Sequence, residues 1–327
     1  MLPTLRQLEY IVAVADTGQF VEAARHCNVS QPALSKQIRE VEELLGVTLF
    51  ERTRPRVLVT RAGEEIVRRA RRILLEAREL VEVASASGQE RRGTLRLGVI
   101  PTIAPYGLPG LLAKLRGLLP EVSFAIQELQ TEVLLDQLKS GGVDLALLAH
   151  PFAAHGLSGF DLVVEPFVLI APLDHPLGTC APVHPNDIVG ASLLLMEDGH
   201  CLRDQAIEVC ADAGAPPATS IAAVSVSTLV RMVESGLGPT LLPASALATE
   251  LRAGQGLVAR SFEGEQPGRT LTLQWRATSA YAPWFTEIGE VLRAHYLELN
   301  AALPVVAGPK PLMRRVGQAH RAGDMMP

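Results

Sequence analysis

Two cysteines nine residues apart, in the stretch Glu197–Cys210 (EDGHCLRDQAIEVC), are the side chains whose types and spacing most directly suggest chemistry. An apolar run, Leu193–Met196, predicts a short buried strand before them, and Asp198, Gly199 and His200 predict a turn into a helix. Cys201 then falls at or next to a helix N-terminus. Exposed N–H groups, the positive end of the helix dipole and the nearby Arg203 cation favour a thiolate there, which makes Cys201 a candidate nucleophile.

A helix would separate Cys201 from Cys210 by roughly 13 Å of rise and half a turn, whereas a disulfide needs Cα atoms within about 7 Å. Joining them requires the segment to melt or rebuild, which is the requirement for a redox switch. The plainer alternative is a pair of packed thiols, since free cysteines are commonly small buried hydrophobes. Spacing leaves both open. His200 and Cys201 are adjacent and cannot supply a closed tetrahedral metal site, so neither metal nor cofactor is expected.

The chain around this stretch has 327 residues, 48 % hydrophobic and 20 % charged, enough for two or three domains with their own cores. No apolar run reaches the ~18 residues of a membrane span, and MLPTLRQLEY lacks the layout of a secretory signal, so a cytoplasmic protein without a membrane partner is expected. The four cysteines, Cys27, Cys180, Cys201 and Cys210, are too few and scattered for a disulfide framework. Any disulfide would be regulatory. Residues 1–92 carry 15 Lys and Arg against 13 Asp and Glu, the remainder 15 against 22. That is weak support for nucleic-acid binding, and charge placement matters more.

Residues 1–61 are read as a DNA-binding head. Leu8, Ile11, Val12, Val14 and Ala15 recur at helical spacing up to Gly18, and a second helix runs from about Phe20 to His26. Cys27, Asn28 and Val29 form a tight corner, with Asn28 suited to a left-handed conformation. Ser30 then caps a third helix with Pro32 in its first turn. Leu34, Ile38, Val41 and Leu45 line one face of that helix; Ser35, Lys36 and Arg39 are placed on the other. Such a helix, entered through a three-residue corner, suits a helix-turn-helix in a major groove, with Gln31, Pro32, Ser35, Lys36 and Arg39 facing DNA. The run LFERTRPRVLVTRAG predicts two short strands, a wing whose Arg52, Arg54 and Arg56 would hold phosphates.

In residues 62–92 the seam Ile66, Ala70, Ile73, Ala77, Leu80 and Ala84 alternates in steps of four and three, so a long helix is expected to pair with its copy in a homodimer. Packing on its own effector domain is the alternative. Residues 93–300 alternate strand-like and helical runs, predicting parallel sheets with helical crossovers in two α/β lobes around a cleft. Thr102 and Thr131 fall on strand-end loops, where they are either helix caps or ligand contacts. Residues 301–327 are read as a disordered tail.

The segment AARHCNVSQPALSKQIREVEELLGVTLFER followed by VTRAG resembles the DNA-binding head of LysR-type transcriptional regulators, with Cys27 where many members carry Leu. GVIPTIAPYGLP, ELQT, LLLMEDGHCLRDQA followed by Cys210, SVSTLVRMVESGLGPTLLP and GRTLTLQWR resemble the hydrogen-peroxide-sensing branch of that family. The likeness covers roughly residues 1–300 and is weaker at the dimer helix and at 150–190. It implies an α/β protein with an N-terminal winged helix-turn-helix, a long dimerisation helix and a two-lobed, periplasmic-binding-protein-like regulatory domain.

The resemblance also implies a mechanism. Hydrogen peroxide is held by Thr102, Thr131 and His200; Cys201 attacks it and becomes a sulfenic acid, and Arg269 stabilises the charge. Cys210 then condenses with Cys201 in a reversible disulfide. The implied partners are double-stranded operator DNA, a homodimer pairing into a tetramer, and RNA polymerase at promoters that are activated or repressed. Two other readings stand beside it. One is a LysR-type regulator with a small organic effector in the cleft; the other is a thiol peroxidase fused to a DNA-binding head.

Overall fold

The structure, a computed structural model, describes residues 2–51, 57–86, 93–179, 182–189, 191–212, 214, 222–252, 254–264 and 266–301. The tip of the wing with Arg52, Arg54 and Arg56, Cys180, and the expected tail from 302 onward lie outside the described residues.

The head is built from α1 (Leu5–Thr17), α2 (Phe20–His26), α3 (Gln31–Leu45) and the antiparallel pair β1 (Phe50–Glu51) and β2 (Leu58–Val59). Thr4 and Gln7 form a capping box at the start of α1, and Ser30 accepts from the Ala33 N–H to start α3. Asn28 takes φ +54° at the corner, as its short amide side chain allows. Leu8, Ile11, Val14, Leu34, Ile38, Val41 and Phe50 close the core. The Glu42 carboxylate accepts from Leu49 N (2.8 Å) and Phe50 N (3.3 Å), fastening the wing to α3. At Gly63, a Cβ would lie 2.3 Å from the Leu49 carbonyl oxygen, so only glycine lets the next helix start against the wing.

That helix, α4 (Arg61–Ala86), divides its apolar positions between two surfaces. Val67, Ala70 and Leu74 are buried against the head, whereas Ile73, Leu80 and Val81 are exposed by 49 %, 72 % and 60 %. The seam read from sequence is therefore corrected: Ala70 belongs to the head core, because α1 packs along this side of α4. The outer stripe of Ile73, Leu80 and Val81 has the apolar exposure that a second copy would cover. Glu79 accepts from Arg276 Nε (3.1 Å) and Thr278 Oγ1 (2.9 Å), tying α4 to the regulatory domain as well.

The regulatory domain continues through β3 (Gly93–Val99), α5 (Ala104–Leu118), β4 (Val122–Glu128), α6 (Thr131–Lys139), β5 (Leu145–Ala149), β6 (Leu157–Pro172) and α7 (Pro176–Thr179). Then come β7 (Leu195–Met196), α8 (Cys201–Asp212), β8 (Ala222–Ala223), α9 (Val226–Glu234) and β9 (Thr240–Pro243). The last elements are α10 (Leu247–Glu250), β10 (Leu257–Arg260), β11 (Gly268–Arg276) and α11 (Ala282–Ala301). In lobe I, β4, β3 and β5 are parallel, as the alternation predicts. The two strands completing that sheet correct the parallel expectation: β11 pairs antiparallel with both β5 and β6. The cause is connectivity. β6 leaves lobe I for lobe II and β11 returns, so neighbours that cross between lobes must run in opposite directions.

The long β6 serves both lobes. Leu157–Pro166 pairs with β11, whereas Phe167–Pro172 pairs with β9 and β10 to form the sheet of lobe II. β7 and β8 are a parallel pair, bridged to β9 through Leu194 and Thr240. Each lobe has its own apolar core, one around Leu97, Leu147, Leu273 and Phe285, the other in two neighbouring clusters around Val168, Leu229, Leu242 and Leu169, Leu195, Leu241. Across the junction, Tyr106 Oη on α5 donates to Glu250 Oε1 on α10 (2.9 Å). Among the described residues no helix is long and apolar enough to cross a membrane.

Candidate functional site

Three helices of the regulatory domain begin at one place. The turn Ile100–Thr102 leads from β3 into α5, Gln130 and Thr131 open α6, and Gly199, His200 and Cys201 open α8. Together they line a small pocket that, as it stands, leaves no room for the centre of a water-sized sphere. Pockets for drug-sized ligands hold roughly 300–1,000 Å³, far more than this site offers. Helix N-termini carry partial positive charge and unpaired N–H groups, and their convergence favours negative charge in the cavity.

The residues named from sequence sit as follows. Cys201 is the first residue of α8 and 8 % exposed, packed with the lobe I core. Thr102 is 1 % exposed. Thr131 is buried, and its Oγ1 has no hydrogen-bond partner. A buried orphan hydroxyl costs on the order of 1–3 kcal/mol, and this one is on a residue that lines the pocket. His200 is also buried, and that burial lowers the pKa of its imidazole below the ordinary value although Glu197 acts in the opposite direction. The charged form of the ring is disfavoured.

Arg269 lies behind this wall. It is 2 % exposed on β11; its Nε donates to Glu165 Oε2 (2.8 Å), its Nη1 to Thr102 Oγ1 (2.7 Å) and its Nη2 to the Thr102 carbonyl (3.0 Å). Glu165 in turn accepts from Ser245 N of lobe II (3.2 Å). The guanidinium is thus tied to a buried carboxylate at the lobe junction and reaches the cavity wall through Thr102. Arg203, expected to supply a second cation, pairs with Asp198 (2.8 Å) and donates to the Met196 carbonyl (3.1 Å). Its charge is matched by the turn it closes.

The sequence does not single out Gln130, and it shows Gly199 only as part of a turn. Gln130 is the N-cap of α6 but makes no capping bond with its side chain; its Nε2 lies 3.2 Å from His200 Nε2. Gly199 has φ +90°, and a Cβ on it would come within 2.9 Å of the Gln130 amide oxygen. The tight turn that delivers Cys201 thus depends on a glycine that also makes room for its neighbour across the cavity. One turn along α8, Gln205 Nε2 donates to the His150 carbonyl (2.7 Å) and fixes this end of the helix to lobe I.

Cys210 occupies the other end of α8, 2 % exposed, in the lobe II cluster with Leu169, Leu195 and Leu241. Burial pushes its thiol up to about 11. Both thiols are free, and nine helical residues place them about 13 Å apart along the axis. Cys27, the other described cysteine, is half-buried against the head core, where burial raises its thiol; it is a packing residue at the corner.

On the head, Gln31, Pro32, Lys36 and Arg39 are exposed along α3. Lys36 makes a 3.7 Å surface pair with Glu40, which leaves it available to another anion. Ser35 is corrected: it is 7 % exposed, because position 35 lies between Leu34 and Ile38 at the edge of the buried stripe.

A winged helix-turn-helix carried on a long helix and joined to a two-lobed α/β domain defines a DNA-binding transcriptional regulator. Residues 5–64 match the bacterial regulatory helix-turn-helix proteins of the lysR family, and residues 88–296 match the LysR substrate binding domain. The chain belongs to the LysR family of transcriptional regulators.

Its relatives include the DNA-binding transcriptional dual regulator OxyR of Escherichia coli strain K12, 42 % identical over 290 residues, covering 89 % of this chain and 95 % of that one. Among solved structures it resembles a full-length OxyR variant from Pseudomonas aeruginosa, with TM-score 0.76 and 34 % identity over 90 % of this chain and 95 % of that one. It also resembles a hydrogen-peroxide-bound OxyR variant from Corynebacterium glutamicum, with TM-score 0.64 and 33 % identity over 92 % of this chain and 95 % of that one.

Proposed function

We propose that this regulator senses hydrogen peroxide through Cys201 and reports it by forming a disulfide with Cys210. The observation that carries the reading is the cavity that Cys201 shares with Thr102, His200 and the unpartnered hydroxyl of Thr131. The pocket is closed down to less than the room of one water molecule, so a two-oxygen oxidant asks for far less opening than an organic effector would. Relatives named as hydrogen peroxide-inducible genes activators, and a similar structure with peroxide bound, point the same way.

In the first step the Cys201 thiolate attacks one peroxide oxygen, the O–O bond breaks, and the leaving hydroxide takes a proton to become water. Sulfur loses two electrons and becomes a sulfenic acid. In the second, the Cys210 sulfur attacks that sulfenic sulfur, an S–S bond forms, and the hydroxyl leaves as a second water with the Cys210 proton. Thr102 and Thr131 hold the peroxide; Arg269 braces Thr102 and offsets the developing charge. Because the sulfurs start in different cores at opposite ends of one helix, the second step requires α8 to come apart. The lobes it bridges then repack, and the change passes through α4 to the head.

The regulator acts in the cytoplasm as a homodimer built on the exposed face of α4, with dimers pairing as tetramers on operator DNA. Gln31, Pro32, Lys36 and Arg39 read the groove, Arg52, Arg54 and Arg56 hold phosphates, and RNA polymerase responds to the repositioned heads. Stoichiometric peroxide followed by non-reducing peptide mapping tests the reading. A Cys201–Cys210 cross-linked peptide is expected; two thiols that remain free to alkylation would overturn it. Sustained turnover of peroxide with a thiol reductant would instead mark a peroxidase.

A further inference from the structure

We infer that Gln130 is a positioning residue for peroxide sensing, fixing His200 in one uncharged tautomer and clamping the turn that presents Cys201. The inference deepens the peroxide reading and rests on it for its functional consequence. Its structural content can be tested without peroxide.

Position 130 is the N-cap of α6, where Ser, Thr, Asp or Asn would bond the first free N–H groups. Here the sequence has Gln, and its side chain ignores its own helix and crosses to α8. The 3.2 Å contact joins Gln130 Nε2 to His200 Nε2. An amide nitrogen only donates, so the imidazole nitrogen must accept, and the ring proton then resides on Nδ1. Protonating Nε2 would set one donor against another. Burial of His200 opposes the charged form in the same sense, and Glu197 is the charged group acting on the ring from its own turn. From α6 and the Ile100–Thr102 turn the cavity presents neutral side chains, and from α8 the titratable group beside the ring is the Cys201 thiol.

The same amide lies against Gly199, where a Cβ would sit 2.9 Å from the amide oxygen and push it aside. One side chain thus connects the start of α6 to the turn before Cys201. The neighbouring Thr131, with its unpartnered hydroxyl, is held in register with the thiol by the same crossing. Removing the amide should free both ring tautomers and loosen the turn. Replacing it with a carboxylate should favour the imidazolium and move the accompanying step in the oxidation rate to higher pH than in the parent.

The test is nitrogen-15 NMR of His200 in the reduced full chain, together with the pH profile of Cys201 oxidation by stopped-flow peroxide mixing. In the parent, the shifts should report an Nδ1–H ring that titrates below about 6.5. Gln130→Met should give a mixture of tautomers. Gln130→Glu should raise the titration midpoint by roughly a pH unit or more, as an adjacent opposite charge does, with a matching step in the rate profile. An Nε2–H ring in the parent, or a midpoint and profile unmoved by Gln130→Glu with the fold intact, overturns the inference. If peroxide fails to oxidise the parent Cys201 at all, the peroxide reading falls while the NMR result still decides what Gln130 does to the ring.

Discussion

The two ends of α8 differ more than their sequence suggests. At the first, Cys201 meets a small pocket bounded by three helix starts, a buried histidine whose charged form is disfavoured and an unpaired hydroxyl. At the other, Cys210 is packed among leucines of the second lobe, and its thiol is held far above the ordinary range. The contrast teaches an order of events. In the proposed peroxide reading the first sulfur meets the oxidant, while the second, buried among leucines, waits until the helix that separates them gives way.

Substitution of either sulfur breaks this contrast with the largest expected effect. Cys201→Ser should abolish peroxide-dependent disulfide formation and the peroxide response of operator binding. Cys210→Ser should leave the first step intact, so that a sulfenic-acid-specific label accumulates on Cys201 and no cross-linked peptide appears. Equal loss of oxidation in both variants would mean that the two ends are not specialised.

Next in size is the bracing behind the cavity. Glu165→Ala leaves the Arg269 cation buried without its partner, and removing one member of such a pair costs about 3–5 kcal/mol. Urea unfolding should register that loss, whereas an effect under about 1 kcal/mol would show that the network does not hold the lobes.

Alkaline pH probes the other end. The thiol of Cys210 sits at about 11 in the folded protein against an ordinary 9.0, so the folded state keeps a proton that the unfolded chain gives up. Its contribution to stability is full below 9, and is lost as pH rises through 11. In Cys210→Ala this part of the alkaline loss should disappear.

The smallest effect on stability should come with a clear effect on rate. Thr131→Val removes a hydroxyl that has no partner, so the fold should be unchanged or slightly firmer. If that hydroxyl donates one hydrogen bond of about 1 kcal/mol to peroxide, Cys201 oxidation should slow roughly fivefold. An unchanged rate would return Thr131 to the status of an ordinary buried residue.

Much of this was legible in the sequence because local rules dominate there. The cap at Ser30, the corner at Asn28, the glycine at 199 and the apolar spacing of α3 each act over a few residues, and the structure follows them. What sequence missed is set by distant partners. Gln130 looks like an indifferent polar residue until α6 and α8 are brought together, and Ser35 reads as outward-facing until the head core closes over it. Ala70 and Ile73 look equivalent in a heptad, yet α1 covers one and leaves the other open. Strand direction escaped for the same reason: β11 is antiparallel because it returns from the other lobe.

The most direct test is hydrogen exchange of the α8 amides before and after stoichiometric peroxide, read beside disulfide mapping on the same samples. The account predicts that a Cys201–Cys210 bond appears together with loss of protection across residues 201–212. A bond formed while those amides keep their protection would contradict it, since an intact helix cannot bring the two sulfurs together.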